Sequence, residues 1–117
     1  PLYDNTVSAA VTRGKTTVGV RMPNHPIALE LLTLADVPIA APSATLSGKP
    51  SPVTAEQVAA DLDGRIAAIV SGGTCSIGMA STIVDVSSDL PIILRQGAIS
   101  REQLEAVLGI PIKAVND

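Results

Sequence analysis

A chain of 117 residues has room for one domain with one core, which its 46% hydrophobic content and single aromatic, Tyr3, make aliphatic. That composition excludes an aromatic stacking platform for single-stranded nucleic acid, and the net charge of −3 argues against overall phosphate-backbone binding, although a local basic patch stays open. One cysteine, Cys75, excludes an internal disulfide and points to a reducing compartment; with a single histidine, no nitrogen–sulfur cluster for a transition metal exists.

Residues 1–16 carry no clear period and read as a leading loop or short helix, with a helical turn over Thr6–Thr12 ended by Gly14. Thr17–Arg21 reads as a strand, because β-branched residues alternate with small ones until Pro23 stops it. Asn24 suits the cap of the next helix, with Pro26 in its first turn; Ile27, Leu31 and Leu34 then share a face with Ala28, Leu32 and Ala35. Val37–Ala41 reads as a short buried strand. It opens into a loop carrying Ser43, Thr45, Ser47 and Ser51, with Gly48 for a tight turn and Pro42, Pro50 and Pro52 fixing φ. Thr54 with Gln57 forms a capping-box pattern for a second helix, whose buried face is Ala55, Val58, Ala59 and Leu62 and which Gly64 ends. Ile66–Val70 reads as another strand, followed by the turn Ser71-Gly-Gly-Thr74 and a loop over 75–80. Thr82–Val86 and Leu90–Leu94 read as consecutive strands, and Ser100 with Gln103 opens a third helix through Leu108, with Gly109 just past its end. This order predicts an α/β domain with a mixed sheet. No apolar run reaches the length of a membrane span and no charged-then-apolar leader is present, so the expected location is cytoplasmic. The start at Pro1 reads as a piece of something longer or a processed product.

The stiff hydroxyl loop after Val37–Ala41 is the strongest candidate for a site, because open α/β sheets bind ligands at the C-terminal edge of their strands; an ordinary surface turn is the alternative. Polar groups recur at other strand ends. Arg21 precedes Pro23, Ser81 and Thr82 open one strand, and Arg95 closes another before Gln96-Gly97. Two guanidinium forks with several hydroxyls match carboxylate and phosphate, whereas either arginine alone reads equally as a solvated strand end or a surface ion pair. His25 lacks a partner and reads as a cap or surface residue, and Cys75 as a packed thiol. Asp85 reads as a buried hydrogen-bond anchor, and Asp61, Asp63, Glu102 and Glu105 as helix-surface charges. Gly72-Gly73 lacks the lysine and hydroxyl residue of a Walker-type phosphate loop.

Five ordered motifs carry a family resemblance: Thr17-Val-Gly-Val-Arg-Met-Pro23, Ala40-Ala-Pro-Ser-Ala-Thr-Leu-Ser-Gly48, Pro50-Ser-Pro52, Ser81-Thr-Ile-Val-Asp85 and Leu94-Arg-Gln-Gly97. In order and spacing they resemble the YrdC-like family of threonylcarbamoyl-AMP synthases, from about Val7 to Leu108. The resemblance implies a YrdC/RibB-like twisted mixed sheet flanked by helices, here incomplete. Residues 1–117 would be the C-terminal part of the domain, with the family's Lys-x-Arg motif and first strands lying before Pro1. It also implies a reaction, in which L-threonine, bicarbonate and ATP give threonylcarbamoyl-AMP and pyrophosphate. The threonylcarbamoyl group then passes, through separate transfer machinery, to N6 of adenosine 37 in tRNA.

Carried over by position, Arg21, the backbone at Ala41 and the hydroxyl of Ser81 resemble the threonine contacts. Thr17, Ser43, Ser51 and Arg95 resemble the ATP contacts. Magnesium is expected with ATP, without an obvious carboxylate ligand here. One departure stands out: Thr45 occupies the place of a family asparagine, keeping a hydroxyl but losing the amide's paired donor and acceptor. Three rival readings remain: the same module in a hydrogenase-maturation carbamoyltransferase, a tRNA- or double-stranded-RNA-binding module without catalysis, and a non-catalytic remnant or C-terminal half alone. The chain alone is expected to be inactive as a synthase, and its exposed sheet edge to favour self-association.

Overall fold

The structure is a computed structural model that describes residues 7–115. The chain divides into two compact units, Leu2–Ser76 and Ile77–Asp117.

The first unit carries three helices. Helix α1 (Ala9–Thr12) is one turn, with the Ser8 hydroxyl accepting from the Ala10 N–H at 3.3 Å and Arg13 reversing the chain at φ 53°. It lies within the expected helical turn, of which Thr6 falls outside the described residues. Helix α2 (Pro26–Ala35) begins one residue later than its expected cap: His25, not Asn24, occupies the N-cap, with an extended backbone and no side-chain cap bond. Proline at the first helical position supplies the reason, since it forces the preceding residue out of the helical region and needs no capped N–H of its own. None of α2 is buried, and Leu34 is 78% exposed. Helix α3 (Ala55–Leu62) is capped by Thr54, whose hydroxyl accepts from the Gln57 N–H at 3.3 Å. The expected box is half made, because the Gln57 side-chain oxygen accepts instead from the Val53 N–H at 2.7 Å.

Three expected strands are absent. Thr17–Arg21, Val37–Ala41 and Ile66–Val70 are irregular, and Val20, Val37 and Val70 stand largely in solvent rather than in a core. A strand exists only through its ladder, and no neighbouring segment among the described residues offers these three a hydrogen-bonding partner.

The second unit holds the sheet, in the order β1-β2-β3. Strand β1 (Ile83–Asp85) pairs antiparallel with β2 (Ile92–Arg95), with an irregularity between Ile83 and Val84. Strand β2 then runs through helix α4 (Arg101–Leu108) into β3 (Lys113–Ala114), which pairs parallel to it with Ile92 opposite Lys113. This is a strand–helix–strand crossover, and β3 had no counterpart among the expected strands. Its entry is held by the Glu105 carboxylate, which accepts from the Ile112 N–H at 2.8 Å. Ile93 and Ile112, each 3% exposed, form the core there.

Helix α4 appears where the pattern put it, with the full reciprocal box: the Ser100 hydroxyl accepts from the Gln103 N–H, and the Gln103 side chain accepts from the Ser100 N–H at 2.8 Å. Ser100→Ala is therefore expected to cost about 1 kcal/mol of stability. A urea titration checks this, and an unchanged midpoint would contradict the cap.

Candidate functional site

Two of the seven expected contact residues, Ser81 and Arg95, lie in the sheet unit, and the structure brings them together. The Arg95 side chain, at the end of β2, donates through Nε to the Ser81 carbonyl at 3.0 Å. Among the described residues the two terminal nitrogens of Arg95 make no hydrogen bond or ion pair, so the Nε edge is tethered while the far edge of the fork stays available for an anion.

The geometry depends on Thr82. Its hydroxyl donates to the Ile99 carbonyl at 2.7 Å and accepts from the N–H groups of Gly97 at 3.0 Å and Ile99 at 3.2 Å. The Gln96 amide adds a bond to the Ile99 carbonyl at 2.6 Å. The backbone of residues 80–82 thus lies directly on the Gly97 turn, and a side chain at Gly97 would overlap Ala80, Ser81 and Thr82. The sequence marked Thr82 only as a strand opener; its three bonds make it the joint of this site.

Thr17, Arg21, Ala41, Ser43 and Ser51 lie in the helical unit, all exposed and all on irregular chain. Ser51 lines an open hollow of about 270 Å³ with Lys49, Pro50, Pro52, Gln57, Ala60 and Asp61. The hydroxyl loop is tied to α3 by Asp61. One carboxylate oxygen accepts from the Thr45 hydroxyl at 3.0 Å, and the other pairs with the Lys49 ammonium. Asp61 was expected on the solvated face of α3; its side chain is 13% exposed and occupied on both oxygens. The available signal was its position one helical turn beyond Gln57 and beside the apolar stripe through Val58 and Leu62. Thr45, the departure from the family pattern, has found a local partner.

A second hollow, of about 370 Å³, includes His25, Val53, Val58, Gly72 and Cys75 in its lining. The His25 ring bonds through Nε2 to the Gly72 carbonyl at 3.1 Å, joining the start of α2 to the turn over 71–74. His25, read from the sequence as a cap or surface residue, does sit at the N-cap of α2, but its ring ties two segments together instead of making a side-chain cap bond. Cys75 is exposed rather than packed, and its N–H is satisfied by the Val53 carbonyl at 2.8 Å. Asp85 closes β1 half-buried and accepts from the Ser87 N–H at 2.8 Å, an anchoring role as expected but at the strand's end. Among the described residues no group of three or more acidic, histidine or cysteine side chains is placed to hold a metal. No helix among them is long and apolar enough to cross a membrane.

Four carboxyls are held below their usual range. The Lys49 hydrogen bond does this at Asp61, Ser87 at Asp85, the Ser100 hydroxyl at Glu102, and the local backbone N–H with Thr54 at Glu56. A carboxyl depressed in the folded state stabilises the fold above its unfolded pKa, and that contribution disappears as pH falls through the depressed value. Thermal stability is thus expected to hold above about pH 4 and to fall below it. Melting curves between acid and neutral pH read this out; a flat or rising midpoint on acidification would contradict it.

Residues 2–97 match the family model Sua5/YciO/YrdC, described as "Telomere recombination", so the chain belongs to that family. It is 55% identical over 109 residues to the threonylcarbamoyl-AMP synthase of Bacillus subtilis, covering 93% of this chain and 32% of that protein. It is 49% identical over 100 residues to the Schizosaccharomyces pombe protein of the same name, covering 86% of this chain and 24% of that one. Among solved structures, Pyrococcus abyssi Sua5 complexed with L-threonine superposes with a TM-score of 0.83 at 47% identity, over 93% of this chain and 32% of that one. The mixed α/β architecture is shared with these structures and is incomplete relative to them. The chain spans about a third or less of the relatives' length.

Proposed function

We propose that this chain is the C-terminal part of the catalytic domain of a threonylcarbamoyl-AMP synthase that works in the cytoplasm. It would join L-threonine, bicarbonate and ATP into threonylcarbamoyl-AMP and pyrophosphate for tRNA N6-threonylcarbamoyladenosine formation. The observation that carries the reading is the match to a chain solved with L-threonine, at 47% identity over 93% of these residues.

The side chains present suit the chemistry. Carboxylation of an amine gives a labile carbamate, which must be kept from bulk water until its oxygen attacks the α-phosphate. That step needs positioning and charge neutralisation rather than a covalent nucleophile. Arg21 would take the threonine carboxylate, with the Ala41 backbone and the Ser81 hydroxyl fixing the rest of the amino acid. Arg95 would neutralise phosphate, with Thr17, Ser43 and Ser51 as hydrogen-bonding partners of the nucleotide. Magnesium would arrive with ATP; the described residues present no cluster of carboxylates to hold it.

Calorimetric titration of the chain with ATP and with L-threonine tests the assignment. Arg95→Ala is expected to weaken ATP about tenfold or more and to spare threonine, and Arg21→Ala to do the reverse. Failure of both ligands to bind at millimolar concentration, or equal losses for both in each variant, would overturn it.

A further inference from the structure

Asp61 has no part in the contacts assigned above, yet it organises the segment that carries two of them. It lies on α3 one turn after Gln57, so both side chains emerge on the same helix face. Gln57 holds the loop's exit through the Val53 N–H, at 2.7 Å. Asp61 holds its middle at two points, Thr45 and Lys49. Between those points the chain reverses at Gly48, with φ 86°, and the Lys49 N–H closes the turn on the Leu46 carbonyl at 3.2 Å. Ser43 stands two residues before the Asp61 clamp and Ser51 two residues after it. The clamp also builds one wall of the hollow that Ser51 lines. At about 270 Å³ this hollow falls below the roughly 300–1,000 Å³ of whole-ligand pockets, a size for one part of a nucleotide.

We propose that Asp61 is the positioning residue of the nucleotide loop: by holding the Thr45 hydroxyl and the Lys49 ammonium at once, it sets where Ser43 and Ser51 meet ATP. This rests on the nucleotide reading of those two serines. A flexible loop would have to be ordered at the moment of binding, whereas a carboxylate with one partner on each oxygen orders it beforehand. The arrangement also gives Thr45 its role. A hydroxyl is enough to reach Asp61, so the asparagine of the family pattern is not needed for this anchorage.

The test uses the chain with Asp61→Asn, and with Lys49→Gln as a second variant at an exposed side chain whose removal does not threaten folding. Amide hydrogen exchange of Leu46–Lys49 is measured beside titrations with ATP and with L-threonine. Both variants are expected to speed exchange of those amides about tenfold and to weaken ATP by a similar factor, while threonine affinity and exchange in α4 stay as in the wild type. Unchanged loop exchange, or ATP affinity unchanged in a loosened loop, would overturn the role. Equal weakening of ATP and threonine would also overturn it, as the mark of general destabilisation. A wild-type chain that binds no ATP would instead overturn the nucleotide reading, and the positioning role would fall with it.

Discussion

Residues 1–117 on their own are expected to release no measurable pyrophosphate from ATP in the presence of L-threonine and bicarbonate, on the order of a thousandfold or more below a full-length relative. The first reason is surface. Ile27, Leu31 and Leu34 on α2 are among the apolar side chains left in solvent, and three apolar segments have no ladder partner among the described residues. The second reason is electrostatic. Transferring an adenylyl group requires several positive groups fixed around the phosphates, and under the proposed assignment Arg95 alone would serve that task, with Arg21 given to the amino acid. Adding, as a separate polypeptide, the N-terminal part of the Bacillus subtilis relative is expected to raise turnover. The same apolar surface makes self-association the expected state of the chain alone, seen by sedimentation. Turnover by the isolated chain at the relative's rate, or a monodisperse monomer in sedimentation, would contradict this account.

Gly97→Ala is expected to be the most damaging single methyl in the sheet unit, costing about 3 kcal/mol. Its backbone angle is one any residue can adopt, so the penalty measures close approach alone. The added carbon would enter the space of the Ala80 carbonyl oxygen, the Thr82 nitrogen and the Ser81 carbonyl carbon. These are backbone atoms and cannot rotate aside. Relief would require residues 80–82 to lift from the 97–99 turn, breaking the Thr82 bonds and drawing the Ser81 carbonyl from Arg95. Under the proposed role of Arg95, stability and ATP binding are therefore expected to fall together. Gly48→Ala makes the contrast: no atom lies within 4 Å of the added carbon, and only the strain of φ 86° opposes it. Urea unfolding of both variants separates the two effects, and a Gly97→Ala protein as stable as the wild type would contradict the packing.

What the amino-acid order determined by itself is local. Ser100 and Gln103 form their box because both halves lie within one helical turn, and Thr54, Gly109 and the hairpin strands around Ile83–Asp85 and Ile92–Arg95 follow from equally short-range chemistry. The five motifs that point to the family are likewise legible, since each is a few adjacent residues.

Tertiary structure alone decided where apolar runs become strands. Thr17–Arg21, Val37–Ala41 and Ile66–Val70 have strand composition but no ladder, while Lys113–Ala114, which had no strand signal, became β3 because Ile92 and Ile93 lay beside it. Pairing is a property of two segments, and composition describes one. The same holds for Asp61, which reads as a surface charge until Thr45 and Lys49, 16 and 12 residues away, close on its two oxygens.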